Sequence, residues 1–187
     1  MNEVASEHDR LYLAATALLK RDNIVALTPP VSLNWFVRRR VRKAIRLLKQ
    51  VVDLNPGNWA ALWVTGKAYQ VLGENELALD SFSRSRLLNE SHPDVAREAG
   101  ISAMECGRPH LAIEFTRAAL KLNPDDPGLQ ANLALAHLFG QQPQVARAVL
   151  DVALAKDPND KITLAISKIV DGVLQGKRPC PTRRTDI

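Results

Sequence analysis

Four histidines and two cysteines are the side chains of this sequence best suited to bind a metal or act as nucleophiles. Their spacing gives them no common task. His8, His92, His110 and His137 lie far apart with no HExxH-type pairing. Cys106 and Cys180 are widely separated, with neither a CxxC nor a flanking His cluster, which points to neither a zinc site nor a disulfide framework. The chain contains no GxxxxGK[ST] phosphate loop and no GxSxG elbow. The expectation is a protein with no enzymatic activity, no metal and no cofactor, in which the histidines and Cys106 serve packing.

Charge is the chemistry that remains. Residues 34–50 hold seven Arg or Lys and no acid, and residues 177–187 hold four bases and one acid, so these two segments carry the basicity behind a net charge of +5. Val37, Val41, Ala44, Ile45 and Leu48 follow helical spacing, which leaves Arg39, Arg42, Lys43, Arg46 and Lys49 on the opposite side. Such a face could attract an acidic protein, a nucleic acid or, with Trp35 and Phe36 beside it, an anionic membrane. The alternative is a solvated face whose bases pair with acids elsewhere in the fold. No aromatic platform is interleaved with the bases, which weakens the nucleic-acid reading.

These residues must be positioned by helices. With 46% apolar and 24% charged residues the composition is that of a globular chain, and 5% aromatics with abundant Ala and Leu suit packed helices better than sheets. The apolar run Leu11 to Leu19 follows Glu3, Glu7 and Asp9 rather than a basic segment, so it does not resemble a signal peptide. No stretch reaches membrane-spanning length, and a reducing cytoplasm is the expected compartment.

The strongest signal is a 34-residue phase, marked by Ala44, Ala78, Ala112 and Ala146 and by Pro56, Pro124 and Pro158. In a unit counted from Trp59, Gly66 is at position eight, Tyr69 at eleven, Gly73 at fifteen, Ala78 at twenty and Phe82 at twenty-four. Units counted from Pro93 and Pro127 repeat this with Gly100, Gly107, Ala112, Ala119 and Pro124, then with Ala134, Ala146, Leu150, Ala153 and Pro158. Small residues at eight and twenty let two helices approach closely, and Gly at fifteen can take the left-handed conformation that ends the first. Pro at thirty-two stops the second helix, after which Asn58, Asp126 and Asp160 stand as N-caps.

This pattern resembles the tetratricopeptide repeat. Two departures occur, Glu90 where proline is expected, with Pro93 three residues later, and His137 where tyrosine is usual. The resemblance implies an all-α fold, an α-solenoid of antiparallel helix pairs. The expected layout is a single domain over 1–176, with an interrupted repeat at 8–58 carrying a 17-residue insertion around 21–33. Repeats at 59–92, 93–126 and 127–160 follow, then a capping helix at 161–175 and a basic, flexible tail at 177–187.

In the family the first helices of the repeats line a concave groove through positions two, five, nine and twelve. Carried onto this chain, the groove residues are Trp63, Lys67 and Gln70, then Arg97, Ile101 and Met104, then Leu135 and Leu138, then Ile169. The competing reading of Leu135, Leu138 and Ile169 is packing between repeats. The positions of a carboxylate clamp for chaperone tails read Trp63, Lys67, Glu98, Gly128 and Asn132 in one frame and Tyr12, Thr16, Val64, Asp94 and Glu98 in another, and neither fits.

The function implied is a non-enzymatic adaptor or chaperone that binds a protein or peptide segment in that groove. Self-association is the rival, through a stripe of Ile162, Ala165, Ile166, Ile169, Val170 and Val173 on the last helix. Binding of nucleic acid or an anionic surface by the basic helix is the third reading.

Overall fold

The computed structural model describes residues 6–21 and 34–187. The insertion expected around 21–33 therefore lies, apart from Arg21, outside the described residues. All regular structure among the described residues is helical. The chain divides into two compact units, 1–90 and 91–187. The division falls just after Glu90, where the repeat lacks its position-thirty-two proline.

The first unit holds α1 (Glu7–Lys20), α2 (Trp35–Leu54), α3 (Trp59–Leu72) and α4 (Asn75–Leu88). Helix α1 packs on α2 and α3 on α4, with α2 also packed on α3. The close approach of α3 and α4 depends on Gly66, because a Cβ there would stand 2.6 Å from the Phe82 ring. Asn58 caps α3 by accepting the Ala61 N–H at 2.9 Å, and Gly73 ends the helix with φ of +76°.

In the second unit the pairs are α5 (Pro93–Glu105) with α6 (Pro109–Leu122) and α7 (Pro127–Phe139) with α8 (Pro143–Lys156), followed by α9 (Lys161–Leu174). Pro93, Pro109, Pro127 and Pro143 each open a helix, where the missing N–H is no loss. Asp126 and Asp160 cap α7 and α9 through the N–H groups of Leu129 (3.0 Å) and Thr163 (2.7 Å). Ala131, Ala134 and Leu138 of α7 form one core with Ala146 and Leu150 of α8 and Ile166 and Val170 of α9.

One repeat position breaks the pattern. Gly107 ends α5 with φ of +66°, but its counterpart after α7 is Gln141, which takes φ of +59° with a side chain attached. For a non-glycine residue that conformation costs about 1–2 kcal/mol.

The segment after α9 returns to the helices. At Gly176, with φ of +69°, the chain reverses, the Lys177 N–H returning to the Gly172 carbonyl at 2.9 Å. It then crosses the C-terminal ends of α9, α7 and α5 and finishes in a short 3-10 turn, Arg184–Asp186. Tertiary contacts order it where local propensity would not.

Candidate functional site

In the second unit the repeat period aligns equivalent residues of α5, α7 and α9, and α7 packs against both of the others. Position nine supplies Ile101, Leu135 and Ile169, all half-buried. These three form a ladder of aliphatic side chains, one per helix, with Leu135 and Ile169 also resting on the core beneath.

Position twelve, one turn further along, supplies Met104, Leu138 and Gly172. Leu138 is 0% exposed and Met104 7%, so both belong to the interior rather than to an open groove. Part of the reason is the tail. Cys180 packs on the same core, and its thiol donates to the Leu138 carbonyl at 3.2 Å. Burial pushes that thiol's pKa up. The Gln141 side-chain amide donates to the Pro181 carbonyl at 3.2 Å, and Pro181 is buried. Arg184 reaches Glu105 at the end of α5, 3.4 Å away.

Arg97 is occupied as well. Its guanidinium pairs with the Asp126 carboxylate and approaches Asp94 at 3.7 Å. It fastens α5 to the cap of α7. The apolar stripe of α9 is likewise largely covered. Ile166 and Val170 are core, Ile169 and Val173 pack on that core beside Cys180, and Ile162 stays 60% exposed.

In the first unit, Trp63 and Gln70 are half-buried, whereas Lys67 is 8% exposed and engaged in an interaction. The Trp63 Nε1 is buried without a hydrogen-bond partner among the described residues. Of the predicted groove residues, those that present partly accessible side chains without a strong internal ion pair are Trp63, Gln70, Ile101, Leu135 and Ile169.

The basic face of α2 divides by partner. Arg42 pairs with Glu74 at 2.8 Å, and Arg39 lies over the Trp35 ring, 5.4 Å from its centroid. Trp35 and Phe36 are edge-to-face at 5.0 Å and largely exposed. Among the described residues Lys43, Arg46 and Lys49 have no acid within ion-pair reach. Arg46 and Lys49 border a cavity of about 280 Å³, and Lys49 also borders one of about 300 Å³ over Leu62, Tyr69 and Leu77 between α2 and α4. Asp53 and Asp80 line the larger cavity too, so its charge is mixed.

Sequence reasoning missed Gln141, Cys180, Pro181, Arg184 and Glu105 as a group. Only Gln141 carried a local signal, standing where the two preceding repeats have glycine. Among the described residues no group of three or more His, Cys, Asp or Glu could hold a metal ion, and no helix is long and apolar enough to cross a membrane. The buried His137 ring uses Nδ1 to reach Gln142 Oε1 at 2.7 Å, an internal contact at the turn between α7 and α8.

Two tetratricopeptide-repeat family models match, over residues 36–95 and 103–166. With the repeat geometry above, the chain belongs to the tetratricopeptide-repeat family. Its fold is similar to that of MamA from Desulfovibrio magneticus RS-1, with 17% identity, a TM-score of 0.67, and coverage of 92% of this chain and 94% of that one. It is also similar to YrrB, described as a tetratricopeptide-repeat protein with an unusual peptide-binding site, with 14% identity, a TM-score of 0.65, and coverage of 89% and 86%. A curated relative is the transcription factor tau 131 kDa subunit of Saccharomyces cerevisiae, 29% identical over 83 residues. That stretch is 44% of this chain and 8% of the yeast protein.

Proposed function

We propose that this protein is an adaptor whose second unit holds an extended segment of a partner protein along the ladder of Ile101, Leu135 and Ile169. The observation that carries this reading is the repetition itself. One repeat position places a half-buried branched aliphatic side chain on each of three successive first helices. Burying such side chains under apolar anchors of a partner contributes about 1.5–3 kcal/mol each, before ordering costs are subtracted. The peptide-binding site named for YrrB supports a segment as the kind of partner. A reducing compartment such as the cytoplasm suits Cys106 and Cys180, which are not joined in a disulfide.

The test is selection of binders from a displayed library of random peptides, followed by titration against Ile101→Asp and Ile169→Asp. The expected result is at least a tenfold loss of affinity in each variant, at unchanged helical circular dichroism. Peptides held equally by the wild type and both variants would move the site elsewhere.

A further inference from the structure

The tail meets the second unit in the phase of the repeats. Position twelve falls on Gly172, Leu138 and Met104, and the tail meets Gly172, the Leu138 carbonyl and Glu105, the residue after Met104, in that order. A Cβ at Gly172 would lie 3.2 Å from the Arg178 Cδ, so the missing side chain there makes room for the arginine stem. Cys180 follows at Leu138, and Arg184 reaches Glu105, next to Met104.

Two further observations mark this as a seat for a segment rather than a simple end to the fold. Gln141 accepts the cost of a left-handed backbone where the preceding repeats use glycine, and its side-chain amide binds the Pro181 carbonyl. The tail also arrives pre-shaped. Asp186 Oδ2 accepts from the Thr182 N–H and hydroxyl, both at 3.0 Å, and from the Arg183 N–H at 3.2 Å, while Arg178 donates to the Asp186 carbonyl at 2.9 Å. A pre-shaped segment loses less entropy on docking. The seated surface is nevertheless small, since only Pro181 is buried and every residue from Thr182 onward is exposed. Such an occupant is held mainly by its tether, and a tether of this kind supplies a high effective concentration without tight contacts.

We propose that the position-twelve row of α5, α7 and α9 is a recognition site for a segment that carries a proline between arginines and closes into a turn, and that residues 177–187 are its resident intramolecular occupant. A partner segment of that chemistry then binds by displacing the tail. The proposal rests on the reading of this unit as a segment-binding surface, and it adds a second row, its ligand chemistry and a competitor built into the chain.

The probe is a fluorescein-labelled peptide of residues 177–187, acetylated and amidated, titrated against the full chain and a full-chain release variant, Pro181→Gly with Arg184→Glu. The release variant vacates the row and should bind the peptide about tenfold or more tighter than the wild type. Adding Glu105→Lys to the release variant should weaken peptide binding again and, by pairing with the carboxylate introduced at position 184, return its own tail to the row. Iodoacetamide supplies an independent readout. Cys180 should react several-fold more slowly in the wild type than in the free peptide, and faster in the release variant.

Wild-type Cys180 reacting as fast as the free peptide would overturn the proposal. Equal peptide binding by wild type and release variant, including none by either, would also overturn it. Both outcomes leave library peptides bound along Ile101, Leu135 and Ile169 untouched. Absence of those library binders from wild type and release variant alike would instead remove the adaptor reading.

Discussion

The Asp126 carboxylate receives the Arg97 guanidinium of α5 on one oxygen and the Leu129 N–H of α7 on the other, the latter at 3.0 Å. One side chain thus caps a helix and ties it to the preceding repeat. Asp126→Ala removes both functions and should lower stability by about 2 kcal/mol, the upper range for a lost cap. Asp126→Asn keeps a capping oxygen and should lose about half of that. Urea denaturation followed by circular dichroism distinguishes the two, and equal losses would show that the cap contributes nothing beyond the ion pair.

Gly66 presses against Phe82 so closely that even a methyl group forces the ring to move. Gly66→Ala should destabilise the first unit by about 1–3 kcal/mol, the usual penalty for overpacking. Combining it with Phe82→Leu should cost less than the two separate losses added together, because a smaller side chain yields the space. Additive losses would mean that the helix pair relaxes by another route.

Gln141 and Gly73 occupy the same repeat position in different chemical states. Gly73→Ala should cost about 1 kcal/mol, because its φ is +76°. Gln141→Gly relieves a similar strain and should leave thermal stability nearly unchanged. Its effect should appear in the tail, as faster alkylation of Cys180. An unchanged alkylation rate would remove Gln141 from the tail's support.

Asp186 titrates unusually low, its pKa held down to about 2 chiefly by the Thr182 N–H, with the Thr182 hydroxyl and Arg183 helping. A carboxyl whose folded pKa is depressed stabilises its surroundings above its ordinary pKa of 3.8 and loses that effect as pH falls toward 2. The turn around Arg184 should therefore be constant from neutral pH to about pH 4 and open progressively below it. The amide signals of Thr182 and Arg183 in nuclear magnetic resonance would report this. Asp186→Asn should abolish the pH dependence, and persistence of the transition in that variant would assign it to another group.

The helical framework was legible because its determinants are local and repeated. Asn58, Asp126 and Asp160 cap the helices their spacing assigns to them, and Gly73 and Gly107 adopt the left-handed conformation their positions require. The site was less legible. The repeat phase names which side chains face one way but not what lies on them, so Leu138 and Met104 read as groove residues while being buried. Arg97 likewise reads as a ligand contact until Asp126, the cap of the next repeat's first helix, is placed against it. The tail's path leaves no trace in the sequence, because proline, glycine and basic residues ordinarily signal a loop. Its order comes from partners 40 residues away at Gln141, 42 at Leu138 and 79 at Glu105, separations that leave no local pattern.

Repeat arrays ordinarily unravel from their ends, since each repeat touches only its neighbours and the stability adds up unit by unit. The strap from α9 past α7 to Glu105 on α5 closes that open series. With it in place, fraying of α9 also loosens the hold on α5, and the second unit should melt in one sharp step. With the strap detached, the same five helices should melt gradually, starting from α9. A partner that displaces the tail would therefore exchange an all-or-none domain for a graded one, and binding would be felt in how the protein comes apart.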